Sequence, residues 1–172
     1  IGGQIDHRPH DVGDLTDATW DATIHLNLTI PMQLSRAAIP HLRRAGHGSI
    51  INISSRQAER TSHGLAAYVA SKAGLNGLTR AIAVDYAGDG IRCNTVSPGP
   101  TYTPMTKAGY DDADRRAQRE AMIPLGKLGM AEDVANAILF LISPGAGHIT
   151  GIDIVVDGGM SNNLMPATGG GT

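Results

Sequence analysis

"SIINIS" (49–54) is an almost unbroken apolar run, rich in β-branched isoleucine and only six residues long. Runs of this kind suit strands buried on both faces, as in parallel sheets. Two more follow: "GIRCNTVS" (90–97), which alternates apolar and polar residues, and "GIDIVVD" (151–157), apolar again. A helical pattern precedes each of them, at roughly 17–44, 64–87 and 131–143. Strands and helices that alternate through short loops predict a parallel α/β sheet wound by right-handed crossovers.

The helix ends are marked. Asp14 or Thr16 is placed to cap the first helix, and "AGHG" closes it. "AGDG" closes the second, since glycine beyond a helix end takes the left-handed conformation that stops it. Glu132 and Asp133 complement the dipole in the first turn of the third helix, which ends at Pro144. Its residues Val134, Ala137, Ile138 and Leu141 make one apolar face. The second helix carries Ala66, Ala70, Ala73, Gly74, Gly77 and Ala81 along one side. An interior glycine costs about 1 kcal/mol against alanine, so close approach by the sheet or another helix is expected there.

The bulk composition bounds the function. The 172 residues are 41% hydrophobic and 17% charged with a net charge of −2, enough for one cored domain without a basic face for nucleic acid. No apolar run approaches the ~18 residues of a membrane span. The single Cys93 excludes an internal disulfide framework and fits a reducing, cytoplasmic setting. The seven histidines are scattered, and His7 and His10 have no Cys, Asp or Glu partners at ligand spacing, so no metal site is expected.

Within the second helix, "AAYVASKAG" (66–74) places Tyr68 and Lys72 four residues apart, on one face. A free tyrosine, with a pKa of about 10, is a poor base at neutral pH, and a neighbouring ammonium is expected to lower it. Such a pair can exchange a proton with a hydroxyl or carbonyl. Alone the spacing is common, and most such tyrosines are packing residues. Ser55, thirteen residues earlier, ends the first strand, and strand C-termini face the ligand crevice of an open parallel sheet. The next strand runs into "SPGPTYTPM", where Pro98 and Gly99 make a rigid turn before the hydroxyls of Thr101 and Thr103. Pro31 has no N–H to donate to the carbonyl of residue 27, so the first helix is predicted to open at Asn27 and leave that carbonyl to a water.

"NISS", "YVASK", "IRCNTVSPGPTYTPM" and "ITGIDIVVDGG", in this order and spacing, make the chain similar to the short-chain dehydrogenase/reductases, NAD(P)-dependent oxidoreductases on a single Rossmann-type sheet. The resemblance covers residues 1 to about 160. It implies a doubly wound, three-layer αβα fold, with 1–160 a partial domain carrying the active-site half, while the polar, glycine-rich composition of 161–172 reads as a mobile tail. By this resemblance Tyr68 is the general acid/base, Ser55 orients the substrate oxygen, and Lys72 lowers the tyrosine pKa and binds the nicotinamide ribose. Asn27 is the fourth member, through a water on its carbonyl. Pro98, Gly99, Thr101 and Thr103 match the segment that contacts the nicotinamide carboxamide and pyrophosphate. Asp157, in "VVDGG", is expected to be structural, near a subunit interface of a homodimer or homotetramer.

The family's N-terminal half, with its glycine-rich phosphate loop, does not appear, and "IGG" reads as a remnant whose Gly2 or Gly3 belongs to the cofactor site. The chain is therefore expected to be N-terminally truncated, with an uncovered strand edge. NAD and NADP cannot be told apart without the missing strand. Alone, the chain is expected to bind dinucleotide poorly and to turn over little.

The stretch 104–124 falls where the family keeps a variable substrate lid, and a plain solvated helix is an equal reading. Gln4 and Gln57 fall where relatives line the substrate pocket; with Arg56, Glu59, Arg60 and His63 close by, they lean towards a sugar or polyol rather than a 3-oxoacyl thioester. The alternative to an enzyme is a non-catalytic α/β remnant, an oligomerisation module without a dinucleotide site.

Overall fold

The computed structural model describes residues 11–163. In chain order they form α1 (Asp17–Ile24), a π-helical turn (His25–Thr29), α2 (Ile30–Ala45), β1 (Gly48–Ile53), α3 (Ala66–Asp85) and β2 (Ile91–Pro98). There follow β3 (Thr101–Tyr102), α4 (Lys107–Tyr110), α5 (Ala113–Glu120), β4 (Gly129–Met130), α6 (Ala131–Ile142) and β5 (Asp153–Val156). A parallel sheet of order β1-β2-β5 forms the middle layer. On one side α3 packs Ile82 and Ala83 against Cys93, with Ile50 at the margin. On the other, Leu141, Val134, Ala137 and Ile138 of α6 pack on Val96, Ile51, Ile53, Ile154 and Val156. The α/β class, the parallel strands and the apolar face of the third helix are as expected.

The alternation along β1 shows how the two faces divide. Ile51 and Ile53 point to α6, while Ile50 points to α3, as the two-residue period of a strand demands. Asn52 joins Ile50 on the α3 side and donates to the Thr79 hydroxyl at 2.9 Å. β2 alternates apolar and polar residues, yet it is the central strand, and Asn94, Thr95 and Ser97 are as buried as Cys93 and Val96. They are kept by hydrogen bonds: Asn94 donates to the Ile149 carbonyl, Thr95 to that of Ile152, and Ser97 to the Asp153 carboxylate. Among the described residues, β1 pairs with β2 alone.

Thr16 caps α1, accepting from the Thr19 N–H at 3.2 Å. The first helix opens where Pro31 requires it. Around Asn27 the ladder lengthens to π spacing, with the Ile30 N–H reaching back five residues to the His25 carbonyl. Asn27 itself is fully buried. The turn packs on α3 at Gly74, where an added Cβ would lie 2.9 Å from Leu28 Cδ2. Gly74 thus has the close neighbour expected of it. Gly77 does not, since a Cβ there would meet only Arg80 Nη2, at 3.9 Å.

Asp157, just past β5, accepts from the Gly159 and Ser161 N–H groups at 2.9 and 2.6 Å. It holds a 3-10 turn (Met160–Asn162) whose Met160 is buried beside Ile123 and Leu128. Ser161–Asn163, at the start of the segment read as a tail, are therefore part of this turn or follow it directly. Among the described residues no helix is long and apolar enough to cross a membrane, and no group of three His, Cys, Asp or Glu could hold a metal ion.

Candidate active site

β1 and β2 run parallel, so their C-terminal ends open on the same edge of the sheet. Past β1, the Ser54 N–H still donates to the Val96 carbonyl, which holds Ser55 at the rim. The Ser55 hydroxyl accepts from the Gln57 N–H at 3.2 Å and starts a 3-10 turn (Arg56–Ala58). From α3, Lys72 reaches the same strand end, and its ammonium donates to the Ile53 carbonyl at 2.8 Å. In return the Ser54 hydroxyl donates to the Lys72 carbonyl at 3.2 Å. Tyr68, one turn earlier on α3, lies with its ring centroid 5.8 Å from the Lys72 ammonium.

The electrostatic balance differs from the expectation. Burial pushes the Tyr68 phenol above its ordinary range, and the Ser55 hydroxyl only partly opposes this. Lys72 does not lower it. Its ammonium is turned to the Ile53 carbonyl and is itself buried, which brings its pKa down to about 8. In this structure the phenol is held protonated.

The loop after β2 completes the wall. The Gly99 N–H donates to the Val156 carbonyl at 2.9 Å, and a Cβ on Gly99 would fall 2.5 Å from the Asp157 Cβ and 2.8 Å from its Cα. Only glycine lets the two chain segments pass so closely. Thr101 donates to the Gly99 carbonyl at 3.0 Å. The Thr106 hydroxyl donates to the Thr101 carbonyl at 2.7 Å and lies 3.1 Å from that of Thr103, and a short β3–β4 ladder pins the rest.

These pieces enclose one cleft of about 310 Å³, lined by Ser55, Tyr68, Lys72, Pro98, Gly99, Thr101 and Thr103, together with Ile53, Ser54, Pro100, Thr106 and Tyr110. Asn27 does not line it and sits buried in the π-helical turn that packs on α3. Gln57 lines a smaller adjoining cleft of about 210 Å³. Gly2 and Gln4 lie outside the described residues. Thr106, Tyr110 and Arg119 were not foreseen. Tyr110 offered a signal, as one of only four tyrosines and placed in an otherwise polar lid segment. A larger hollow of about 1100 Å³ opens at the opposite strand ends, beside Gly48 and Ile91, and holds none of the candidate residues.

The donor set suits the nicotinamide end of a dinucleotide: an ammonium, threonine hydroxyls and a glycine that admits close approach, all on one cleft. Among the described residues no glycine-rich strand–loop–helix accompanies it for the phosphates.

A family model described as enoyl-(acyl carrier protein) reductase, one of the short-chain dehydrogenase models, matches residues 3–161. The chain belongs to the short-chain dehydrogenase/reductase family. It is 41% identical over 142 residues to the 2,5-dichloro-2,5-cyclohexadiene-1,4-diol dehydrogenase LinX of Sphingobium indicum, covering 83% of this chain and 56% of that one. It is 40% identical over 146 residues to the 3-oxoacyl-[acyl-carrier-protein] reductase FabG of Escherichia coli, covering 85% and 59%. The crystal structure of a gluconate 5-dehydrogenase from Burkholderia cenocepacia, in complex with NADP and tartrate, superposes with a TM-score of 0.87 at 30% identity, covering 95% of this chain and 63% of that one. The chain thus spans under two thirds of the length of these short-chain dehydrogenase/reductases. NAD or NADP is the cofactor of the family.

Proposed function

We propose that the protein containing this chain is an NAD(P)-dependent oxidoreductase that interconverts a secondary alcohol and a ketone. The observation that carries the reading is the convergence of Ser55, Tyr68 and Lys72 with the Pro98–Thr103 loop on one cleft at the strand C-termini. When bound, the nicotinamide supplies or takes the hydride. Ser55 orients the substrate oxygen, and Tyr68 gives its proton in the reducing direction and takes one in the oxidising direction. A phenol held protonated by burial is ready for the first of these. Lys72 binds the ribose, Asn27 supports Lys72 through a water, Gly2 belongs to the cofactor site, and Thr101 and Thr103 face the carboxamide. Gln57 and Gln4 line the substrate pocket.

A polar, sugar- or polyol-like substrate is favoured over a 3-oxoacyl thioester by the polar side chains beside Ser55, and the gluconate 5-dehydrogenase neighbour is in keeping with it. The exposed Leu139, Phe140, Ile142, Ile152 and Val155 support self-association as a dimer or tetramer, and the buried free thiol of Cys93 fits a cytoplasmic setting.

The test is the full-length gene product assayed by NAD(P)H absorbance against alcohols, ketones and acyl thioesters. Turnover that falls by about 10²- to 10⁴-fold in Tyr68→Phe is expected. No turnover on any of them, without NAD(P)H binding, rejects the reading and leaves the oligomerisation module.

A further inference from the structure

We propose that Arg56 and Arg119 form a carboxylate-binding pair beside Ser55, so that the preferred substrates are hydroxy acids and their oxo counterparts. This rests on the hydride-transfer reading above and narrows its substrate class.

The smaller cleft, of about 210 Å³, shares Ser55, Pro98, Gly99, Pro100 and Tyr110 with the larger one. A group bound there lies within a few bonds of an oxygen held at Ser55. Its walls carry two guanidiniums from separate elements: Arg56 from the turn that follows Ser55, and Arg119 from the last turn of α5. Both residues are half-buried. The Arg56 stem passes over Gly99, where an added Cβ would lie 3.6 Å from its Cδ.

Two like charges in one cleft call for an anion. Burial lowers the Arg56 pKa, Arg119 lowers it further, and Asp157 opposes both. The Asp157 carboxylate is already engaged by the N–H groups of Gly159 and Ser161. One anion against two cations leaves the cleft positive. Glu120, the acid nearest in sequence to Arg119, is bound to Arg116 and to the Leu128 N–H. Among the described residues neither Arg56 nor Arg119 has a side-chain hydrogen bond or an ion pair, whereas Arg43 is paired with Asp89 and Arg116 with Glu120. A planar guanidinium fork matches a carboxylate in two parallel hydrogen bonds. The carboxylate is unchanged by the reaction. In oxidation the carbinol C–H leaves as hydride to NAD(P)⁺, the hydroxyl proton passes to Tyr68, and the C=O forms.

The experiment uses the full-length protein and matched pairs, such as gluconate against sorbitol and a hydroxy acid against its methyl ester. The acid-to-neutral ratio of kcat/KM is expected to exceed about tenfold, and to fall by about 10- to 100-fold in Arg56→Gln and in Arg119→Gln. Arg56→Lys, which keeps the charge, should restore part of the ratio. Arg119→Gln, at the end of a surface helix, reads the pair even where Arg56→Gln does not fold. Calorimetric titration of tartrate and succinate into the NADH complex gives a readout apart from turnover, with binding weakened in both variants. A ratio near one, a ratio unmoved by either variant, absence of tartrate and succinate binding, or tighter binding of inorganic phosphate than of either acid would overturn the pair. Turnover of neutral alcohols together with any of these rejects the pair and keeps the hydride-transfer reading. Loss of all turnover in wild type with carboxylate binding intact rejects the hydride-transfer reading instead.

Discussion

The Lys72 ammonium donates to the main-chain carbonyl of Ile53, nineteen residues earlier, at 2.8 Å. This bond and the one from Ser54 to the Lys72 carbonyl tie α3 to the end of β1 from both sides. The residue proposed to bind the ribose is thus also a strut between helix and strand.

That strut titrates. Lys72 is 3% exposed, and its pKa falls from 10.5 to about 8 on burial. Between these values the unfolded chain binds more protons than the folded one, so stability rises with pH across the window. The penalty is fully present below pH 8 and gone above 10.5. Urea unfolding of the cofactor-free protein and of Lys72→Met, from pH 7 to 10.5, should show wild type gaining up to about 3 kcal/mol relative to the variant. A gap that stays constant through pH 8–10 contradicts the assigned pKa.

The two adjacent serines should separate. Both serines line the cleft, but the Ser55 hydroxyl meets Tyr68, whereas that of Ser54 is spent on the Lys72 carbonyl. Ser55→Ala is expected to lower kcat by about 10- to 10³-fold, as one lost orienting hydrogen bond does. Ser54→Ala should cost about 1 kcal/mol of stability and a smaller share of kcat. Steady-state kinetics beside thermal unfolding distinguishes them, and equal kcat losses would contradict the assignment.

Gly99→Ala places a methyl 2.5 Å from the Asp157 Cβ and 2.8 Å from its backbone Cα. Neither atom can swing away as a side-chain tip can. A loss of about 1–3 kcal/mol is expected from this overpacking. The cleft wall at Thr101, tied to the Gly99 carbonyl, should move with it and raise KM. Unchanged stability and KM would show that the two segments can separate freely.

Two glycines of α3 make a matched pair. Gly77→Ala meets open space and should stabilise by about 1 kcal/mol through helix propensity alone. Gly74→Ala gains the same propensity and pushes Leu28 aside, so the gain should cancel or reverse. Chemical denaturation of both variants checks the difference, and equal gains would refute the close contact.

Much of this was legible because it is local. The isoleucines of 49–54, the cap at Thr16 and the face Val134–Leu141 each announce themselves within one element, and Ser55, Tyr68 and Lys72 follow from strand-end and helix-face geometry. The central place of β2 is not written locally, since the bonds of Asn94, Thr95 and Ser97 go to loop carbonyls and to Asp153, more than fifty residues away. The two-residue strands β3 and β4 carry no period to read. The direction of the Tyr68 shift depends on burial and on where the ammonium points, and neither is written in a four-residue spacing. Arg119 reaches the cleft only through the fold of α4 and α5.

The π-helical turn at 25–29 acts as a phase setter. In an unbroken α-helix, at 3.6 residues per turn, Thr23 and Ser35 would stand about 120° apart around the axis. One residue absorbed by the wider turn closes that angle to about 20°. Both side chains are in fact buried. The stretch that opens the helix at Asn27 therefore also decides which side of α2 meets the protein. Straightening the turn to α spacing with every residue kept would rotate α2 by more than a quarter turn and carry Ile39 out of the core, whereas deleting one residue there would leave the phase unchanged.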